Sequence, residues 1–457
     1  MSDAALAYRV SRVRRLLEWV VRARSSASAV VHNTLSQSLL FVLYFINGVV
    51  VARGLGSAGR GELTAMMVWP SLFGAVFSIG LPTAFIYHAK RDPEAEAPLF
   101  TAAVVLLTGC GVLATGVAFV MLPAYMWRYD AATIFTAQML MVTVPQVLLG
   151  FLVAAFLQVR HRFDLYNLLQ YGPTIVTLVT LLALTVLHRL TPAYAALCYV
   201  VPMFIAVAAM FAAVVRRLKL DVRGLAHNAR RLLSYGGRAA GGNIIGIIAQ
   251  QFDQVLVVGF FSPSQLGTYT VALSVSRVMN VAYGATYVTM ISKAAAMSGA
   301  QLTAVIGRAL RLSALATLLG SAVLAAAMPV VLPHAYGGEF VSAIAVSDTL
   351  LIEVNVSGWA TIMALAFLAS NRPATVTFLQ GMSTAITVGC MLLLVPRFAL
   401  QGAAVSLIVG AAFRVVVFAV LYRRVVGVAA SGLLAGARDD ATYLAGVLRT
   451  QLRGTES

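Results

Sequence analysis

Charged side chains interrupt several long apolar segments of the sequence. Arg277 lies in the middle of the stretch 268–290, and Asp253, Glu353 and Arg414 lie in comparable stretches. A charge in the hydrocarbon core of a membrane is costly and is tolerated where it faces a partner or a water-filled cavity. The planar guanidinium group donates two parallel hydrogen bonds to phosphate. We therefore interpret Arg277 and Arg414 as contacts to an anionic group of a transported solute, and Asp253 and Glu353 as coupling or gating groups.

A stripe of polar and small side chains accompanies Arg277. Its members recur every three or four positions, which places them on one face of a helix: Thr270, Ser274, Arg277, Asn280, Gly284 and Tyr287. With a rise of 1.5 Å per residue, Arg277 lies about 13 Å from the outer end of its segment, near the midplane. The preceding segment carries a similar stripe of Asn243, Gly246, Gln250 and Asp253. We predict that Asn280 and Gln250 bind substrate together with the two arginines.

The same charges allow a second interpretation. Arg277 could pair with Asp253, and Arg414 with Glu353, so that each ion pair holds helices together in a dry seam. A pair that opens when substrate arrives would serve both purposes. The sequence leaves these two interpretations open.

The composition requires that these segments lie in a membrane. Hydrophobic residues make up 60% of the 457 residues and charged residues 11%, whereas soluble domains are about 45–50% apolar and about 25% charged. Because a helix crosses the hydrocarbon core with about 20 residues, and because the alternating pattern of a barrel is absent, we predict an all-α polytopic protein. Twelve spans are predicted at 34–52, 64–87, 99–122, 132–158, 168–187, 193–215, 240–260, 268–290, 309–332, 343–369, 374–395 and 401–422.

The distribution of basic residues indicates the orientation. Alternate ends of the spans carry 26 Lys and Arg residues on one side and five on the other, which are Arg53, Arg60, Arg128, Arg189 and Arg397. Cytoplasmic loops of membrane proteins are enriched in Lys and Arg, so both termini are predicted in the cytoplasm. This asymmetry and the attraction of anionic membrane lipids account for the net charge of +17, and a nucleic-acid partner is not expected.

The chain divides into two halves that look related. The predicted parts are a basic amphipathic arm at 1–33, a first lobe at 34–215, a basic linker at 216–239, a second lobe at 240–422 and a tail at 423–457. An offset of 206 residues aligns Asn47 with Asp253 and Gly61 with Gly267. Repeats with an even number of spans share one orientation and surround an axis along the membrane normal. Asn47 is therefore added to the predicted substrate-binding residues.

Catalytic and metal chemistry are not indicated. The sequence contains no GxxxxGK[ST], HExxH or GxSxG pattern, which are the signatures of phosphate-binding loops, zinc proteases and hydrolases. Its three cysteines, Cys110, Cys198 and Cys390, are far apart and form no CxxC motif. We expect neither an enzyme nor a bound metal or cofactor.

Two glycine-rich turns carry a family resemblance. The first predicted span ends in Arg53-Gly54-Leu55-Gly56 followed by Gly61, and the seventh is followed by a segment with Asp253, Gly259, Phe261, Gly267, Tyr269 and Ala272. Both resemble the polysaccharide-transport branch of the multidrug/oligosaccharidyl-lipid/polysaccharide exporter superfamily. The resemblance implies two pseudo-symmetric six-helix lobes around a central cleft.

The resemblance also implies a function. It predicts a flippase that moves an undecaprenyl-pyrophosphate-linked oligosaccharide from the inner to the outer leaflet of the bacterial cytoplasmic membrane by alternating access. Exopolysaccharide or O-antigen assembly, with a polymerase and glycosyltransferases as partners, would use such a step. The alternative is a cation-coupled multidrug exporter of the same superfamily, in which Asp253 and Glu353 couple the ion and the arginines are structural.

Overall fold

A computed structural model describes residues 26–294, 297–433 and 435. Some residues within these ranges are described by their backbone alone, namely 26–38, 238–253, 288, 292 and 293. The described residues form helices and turns and contain no β-strand. Residues 1–25 of the predicted basic amphipathic arm and most of the predicted tail lie outside the described residues. The all-α prediction is confirmed.

Thirteen α-helices follow one another along the described chain. They are α1 Ser26–Phe77, α2 Leu81–Arg91, α3 Glu96–Tyr125, α4 Ala131–Met141, α5 Val144–Val159, α6 Phe163–Val186, α7 Pro192–Leu218, α8 Leu225–Phe260, α9 Pro263–Ser276, α10 Asn280–Ala294, α11 Gly299–Val331, α12 Ala343–Ala369 and α13 Pro373–Val426. A π-helical turn at Leu332–Tyr336 and short 3₁₀ turns complete the order. Because α8 begins at Leu225, the linker predicted as a loop is largely helical.

Two of these helices are too long to be single spans. At 1.5 Å per residue a straight helix of 54 residues would extend about 81 Å, far beyond the ~30 Å hydrocarbon core. Helix α13 has this length but leaves helical geometry at Ala399, where φ is 47° and ψ is −125°. Helix α1 does the same at Gly56, where φ is 68° and ψ is −173°. Each helix therefore consists of two arms.

The membrane-spanning character of the helices is clear from their length and composition. Seven described helices satisfy both requirements, or eight if the bent pair α4 and α5 forms one span. Both two-armed helices are among the seven. The figure of twelve spans stays a prediction.

Two predicted spans are interrupted in the structure. The span predicted at 64–87 breaks at 78–80, where Ile79 and Gly80 both have positive φ, and α2 restarts with Pro82 in its first turn. The span predicted at 132–158 breaks at 142–143, before Pro145, and its two parts meet with a bend of 40°. Proline lacks the amide hydrogen that would continue the preceding helix, and so it starts a helix in both places.

The chain folds into two compact units. Among the described residues, the first comprises 26–55, Met66–Tyr125 and Asp130–Ala240, and the second comprises Gly56–Ala65, Met126–Tyr129 and the residues from 241 to 435. The predicted lobe boundaries at 34–215 and 240–422 stay predictions.

Polar contacts at the ends of helices stabilise the first unit. Glu96 is buried and accepts a hydrogen bond of 3.0 Å from Nε of Arg160. The hydroxyl of Thr101 accepts a hydrogen bond of 3.0 Å from the backbone amide of Asp221. These contacts connect α3 to the end of α5 and to the segment that follows α7. Pairing the buried Glu96 matters because an unpaired buried charge is strongly destabilising.

A close contact between two glycines lies in the second unit. A Cβ atom on Gly61 would lie 1.7 Å from the carbonyl oxygen of Pro263, and one on Gly267 would lie 1.9 Å from the carbonyl oxygen of Ser57. The contact is reciprocal, and its members are related by the offset of 206 residues that aligned the two halves of the sequence. Only glycine permits backbones to approach this closely. The close packing therefore explains why glycine occurs at both of these aligned positions, 61 and 267.

The arm of α1 that begins at Ser57 is capped from a distant part of the second unit. The backbone amide of Ser57 donates a hydrogen bond of 2.9 Å to Oε2 of Glu339, and its hydroxyl lies 3.0 Å from that of Ser264. A carboxylate at a helix N-terminus satisfies an otherwise unpaired amide and interacts favourably with the helix dipole. Ser262 and Gln265 form a capping box at the start of α9.

Candidate functional site

Arg277 lines a small pocket in the second unit. The pocket encloses about 100 Å³. Its polar lining comes from the second arm of α1, the end of α8 and helix α9: Thr64, Gln254, Tyr269, Thr270, Ser274 and Arg277. Thr270 and Ser274 belong to the predicted stripe, and the structure places both beside the guanidinium-bearing residue.

The size of this pocket limits what it can hold. A water molecule occupies about 30 Å³ of liquid, so 100 Å³ accommodates a group of only a few heavy atoms. Drug-sized ligands need about 300–1,000 Å³. Arg277 is the charged member of the lining, which contains hydroxyl and amide groups together with the apolar Leu266 and Leu273. The chemistry suits one anionic, strongly hydrogen-bonding group such as a phosphate.

The backbone changes geometry at Arg277. Helix α9 ends at Ser276, a 3₁₀ turn covers Arg277–Met279, and α10 begins at Asn280. A 3₁₀ turn advances by about 120° per residue instead of about 100°, so residues beyond it leave the face that the continuous stripe predicted. Asn280 is exposed and is not part of the pocket lining. Its role in substrate binding stays a prediction.

Arg414 lies in a separate polar seam of the second unit. Its Nη1 donates a hydrogen bond of 2.7 Å to Oε1 of Gln380, and its Nη2 donates one of 2.8 Å to Oγ of Ser357. Its buried Nε has no hydrogen-bond partner among the described residues. Glu353 is close enough to interact with the guanidinium electrostatically. The seam continues along α12 and α13, where Thr349 donates a hydrogen bond of 2.9 Å to Oε1 of Gln401.

The contacts of Arg414 bear on both interpretations of the sequence. The hydrogen bonds shown here go to the neutral Gln380 and Ser357, while Glu353 contributes an electrostatic interaction. Arginine has five N–H donors in all, and the hydrogen bonds to Gln380 and Ser357 use two of them. Gln380 was not predicted as a site residue. It could have been found as an amide inside the eleventh predicted span.

Asn47 is an unusual residue of the first unit. Its side chain is 1% exposed, and neither its amide nitrogen nor its amide oxygen has a hydrogen-bond partner among the described residues. Leaving a buried polar group unsatisfied costs about 1–3 kcal/mol. The structure places Asn47 in a different unit from the pocket of Arg277, and its predicted role is not tested.

The remaining predicted residues are defined by their backbone positions. Gln250 and Asp253 lie on α8, and their side chains are outside the described residues. The ion pair between Arg277 and Asp253 therefore stays a prediction. Gln254, which the sequence reasoning did not select, lines the pocket. Its position next to Asp253, at the point where the apolar run of α8 resumes, is the signal that could have identified it.

Metal chemistry has no support in the part of the chain that the structure describes. Those residues contain no group of three or more His, Cys, Asp or Glu side chains arranged to hold a metal ion.

A family model described as polysaccharide biosynthesis protein matches residues 27–294, which is more than half of the chain. The chain belongs to the polysaccharide biosynthesis protein family. The matched region of this polysaccharide biosynthesis protein includes Arg277 and every residue of its pocket. No curated protein matches the sequence.

Solved structures show what the fold of this polysaccharide biosynthesis protein is similar to. A structure of "Lipid II flippase MurJ, inward closed conformation" aligns with a TM-score of 0.67 and 13% identity, covering 91% of this chain and 92% of that one. An inward-facing multidrug resistance MATE family transporter of the MOP superfamily aligns with a TM-score of 0.63 and 15% identity, covering 87% and 96%. A MOP superfamily transporter from Pyrococcus furiosus aligns at 0.50 with 13% identity, covering 89% and 97%. At these identities the likeness concerns the fold, and the predicted all-α transporter fold is confirmed.

Proposed function

We propose that this membrane protein is a flippase for a lipid-linked oligosaccharide whose anionic diphosphate is bound at Arg277. The observation that carries the proposal is the pocket itself. It presents one guanidinium among hydroxyl and amide groups, close to the middle of the helical run from Pro263 to Ala294. Membership of the polysaccharide biosynthesis family supports a substrate that carries sugar.

The volume of the pocket determines which part of the substrate it recognises. Because about 100 Å³ admits one phosphate-sized group, the pocket binds the anionic phosphate that all lipid-linked oligosaccharides of this class share. The sugar must extend beyond the pocket, and the hydrocarbon tail must remain in lipid. A site of this kind tolerates different oligosaccharides, since discrimination arises elsewhere.

We further propose that Arg414, Gln250, Asn280 and Asn47 complete the substrate site and that Asp253 and Glu353 control its opening. Arg414 retains hydrogen-bond donors beyond those given to Gln380 and Ser357. The buried amide of Asn47 lacks a partner among the described residues, and a substrate hydroxyl would supply one. Alternating access would expose these groups to each side of the membrane in turn.

The proposed setting is the cytoplasmic membrane of a bacterium. Both termini would be cytoplasmic, as the distribution of 26 and five basic residues indicates. The substrate would be an undecaprenyl-pyrophosphate-linked oligosaccharide, moved from the inner to the outer leaflet for exopolysaccharide or O-antigen assembly. A polymerase and glycosyltransferases would be its partners. The flippase itself would need no enzymatic activity.

A second candidate function is cation-coupled export of drugs. The fold is similar to a multidrug resistance MATE transporter at a TM-score of 0.63, and Glu353 offers a carboxylate within a span. The pocket volume of about 100 Å³ disfavours this function, because drug sites are larger.

The experiment replaces Arg277 with glutamine in a strain that depends on this protein for export. Losing the charged hydrogen bonds to phosphate, each worth about 1.5–3 kcal/mol, should reduce transport at least about tenfold and cause lipid-linked repeat units to accumulate in the inner leaflet. Arg189→Gln, an exposed arginine after α6, is the matched control. Normal export by Arg277→Gln at a normal membrane level would refute the proposal, and altered drug susceptibility without repeat-unit accumulation would favour the drug exporter.

A further inference from the structure

The second unit contains an apolar cavity that is separate from the pocket of Arg277. It encloses about 390 Å³, more than twice the ~150 Å³ of an engineered apolar cavity that stays dry and takes up benzene. Three helices line it through Leu310 and Ala314 of α11, Trp359 and Met363 of α12, and Val415 and Ala419 of α13. We call this space the α11–α13 cavity. Its apolar walls match a hydrocarbon chain rather than a polar solute.

The surroundings of the cavity indicate that it opens toward lipid. On α13, Val416 and Val420 follow the lining residues Val415 and Ala419 directly, and both are exposed. On α11, Leu315 and Leu318 lie beyond Ala314 and are exposed as well. Exposed apolar side chains on membrane-spanning helices face the acyl chains of the bilayer. A lipid chain could therefore enter the cavity sideways.

A positive charge lies where the head group of such a lipid would be. Arg311 lines the cavity, and its Nη1 donates a hydrogen bond to the backbone oxygen of Leu433, which fixes the side chain next to the turn after α13. Arg308, Arg423 and Arg424 lie near the same ends of α11 and α13, and these two helices contain no Asp or Glu. In the predicted topology these ends are cytoplasmic. Each basic residue at that surface attracts anionic lipids by about 1 kcal/mol.

We propose that the α11–α13 cavity is a binding site for one acyl chain of an anionic phospholipid of the cytoplasmic leaflet, with its head group at Arg311. The lipid chain occupies the apolar space between the three helices. It is a resident of the site and not the transported molecule, so the inference is independent of the function proposed for Arg277.

Trp359 lines the cavity and reports on its occupant. The protein would be placed in nanodiscs of phosphatidylcholine, and a lipid with brominated acyl chains would be added in rising fractions, because bromine quenches nearby tryptophan fluorescence. One titration uses brominated phosphatidylglycerol and the other uses brominated phosphatidylcholine. The signal of Trp359 is the difference between the wild type and Trp359→Phe. We expect half-maximal quenching of Trp359 at a fraction of brominated phosphatidylglycerol that is about tenfold lower than the fraction of brominated phosphatidylcholine needed. The reason is that a hydrogen bond to a charged group contributes about 1.5–3 kcal/mol. Arg311→Gln should abolish this preference.

Two substitutions on α13 distinguish the cavity from the general lipid surface. Ala419→Phe adds a ring inside the cavity, whereas Val420→Phe, at the next residue, adds one on the exposed surface. The first should lose preferential quenching and the second should retain it. Equal quenching of Trp359 by both lipids in the wild type would overturn the proposal. The absence of quenching would also overturn it, because it would mean that protein fills the cavity. The wild-type comparison decides the matter even if Ala419→Phe fails to fold.

Discussion

Replacing Gly61 with alanine would force apart two helices that touch through their backbones. The new Cβ would lie 1.7 Å from the carbonyl oxygen of Pro263, whereas Cβ atoms essentially never approach a heavy atom closer than 3.0 Å. The helices must therefore separate by at least 1.3 Å, the difference between these two distances. Overpacking of this kind costs about 1–3 kcal/mol.

The expected result can be measured by disulfide formation. The hydroxyls of Ser57 and Ser264 lie 3.0 Å apart, so the pair Ser57→Cys and Ser264→Cys should cross-link readily. Adding Gly61→Ala should slow cross-linking markedly and lower the melting temperature of the purified protein. Gly109→Ala is the control, because nothing lies within 4 Å of that position and alanine favours a helix by about 1 kcal/mol. Unchanged cross-linking and melting in Gly61→Ala would contradict the close approach of these helices.

Three further outcomes are expected. Asn47→Leu should raise the melting temperature, because it removes a buried amide that has no hydrogen-bond partner among the described residues, and such an amide costs about 1–3 kcal/mol. The same substitution should reduce transport. A lower melting temperature would show that the amide is hydrogen-bonded in the folded protein. Glu339→Ala should destabilise the helix start at Ser57 by about 0.5–2 kcal/mol, seen as faster amide exchange there, and unchanged exchange would exclude the cap. Burial, and then the charge of Arg231, lower the pKa of His88 from its ordinary 6.5; the folded state thus disfavours the protonated ring, and stability present above pH 6.5 is lost as the pH falls. Amide protection around the ring contact of His88 with Tyr235, measured relative to the intrinsic exchange rate at each pH, should accordingly fall as the pH is lowered through 6.5 in the wild type but not in His88→Asn.

The motif at the end of the first span shows how far local sequence information reaches. Gly56 and Gly61 were recognisable as parts of a glycine-rich turn, because glycine permits a left-handed backbone. The structure has a positive φ at Gly56 and a backbone contact at Gly61. The offset of 206 residues also aligned Gly61 with Gly267, but the sequence did not show that these two residues touch one another.

The segment around Arg277 shows where local reasoning fails. Helical spacing correctly grouped Arg277 with Thr270 and Ser274. It could not detect the 3₁₀ turn at Arg277–Met279, because such a turn depends on the packing of neighbouring helices rather than on the periodicity of the segment. It also could not supply Thr64, which lies more than two hundred positions away in the sequence.

The sequence by itself determined that this protein is helical, lies in a membrane and belongs to the polysaccharide biosynthesis protein family, because composition, periodicity and short glycine motifs are local properties of the chain. Only the tertiary structure decided which polar groups surround each arginine. Arg277 lies beside Thr64 and Gln254, and Arg414 donates to Gln380 and Ser357. These pairings depend on the rotation of each helix about its axis, and in a membrane that rotation is set by the side chains of several neighbouring helices together.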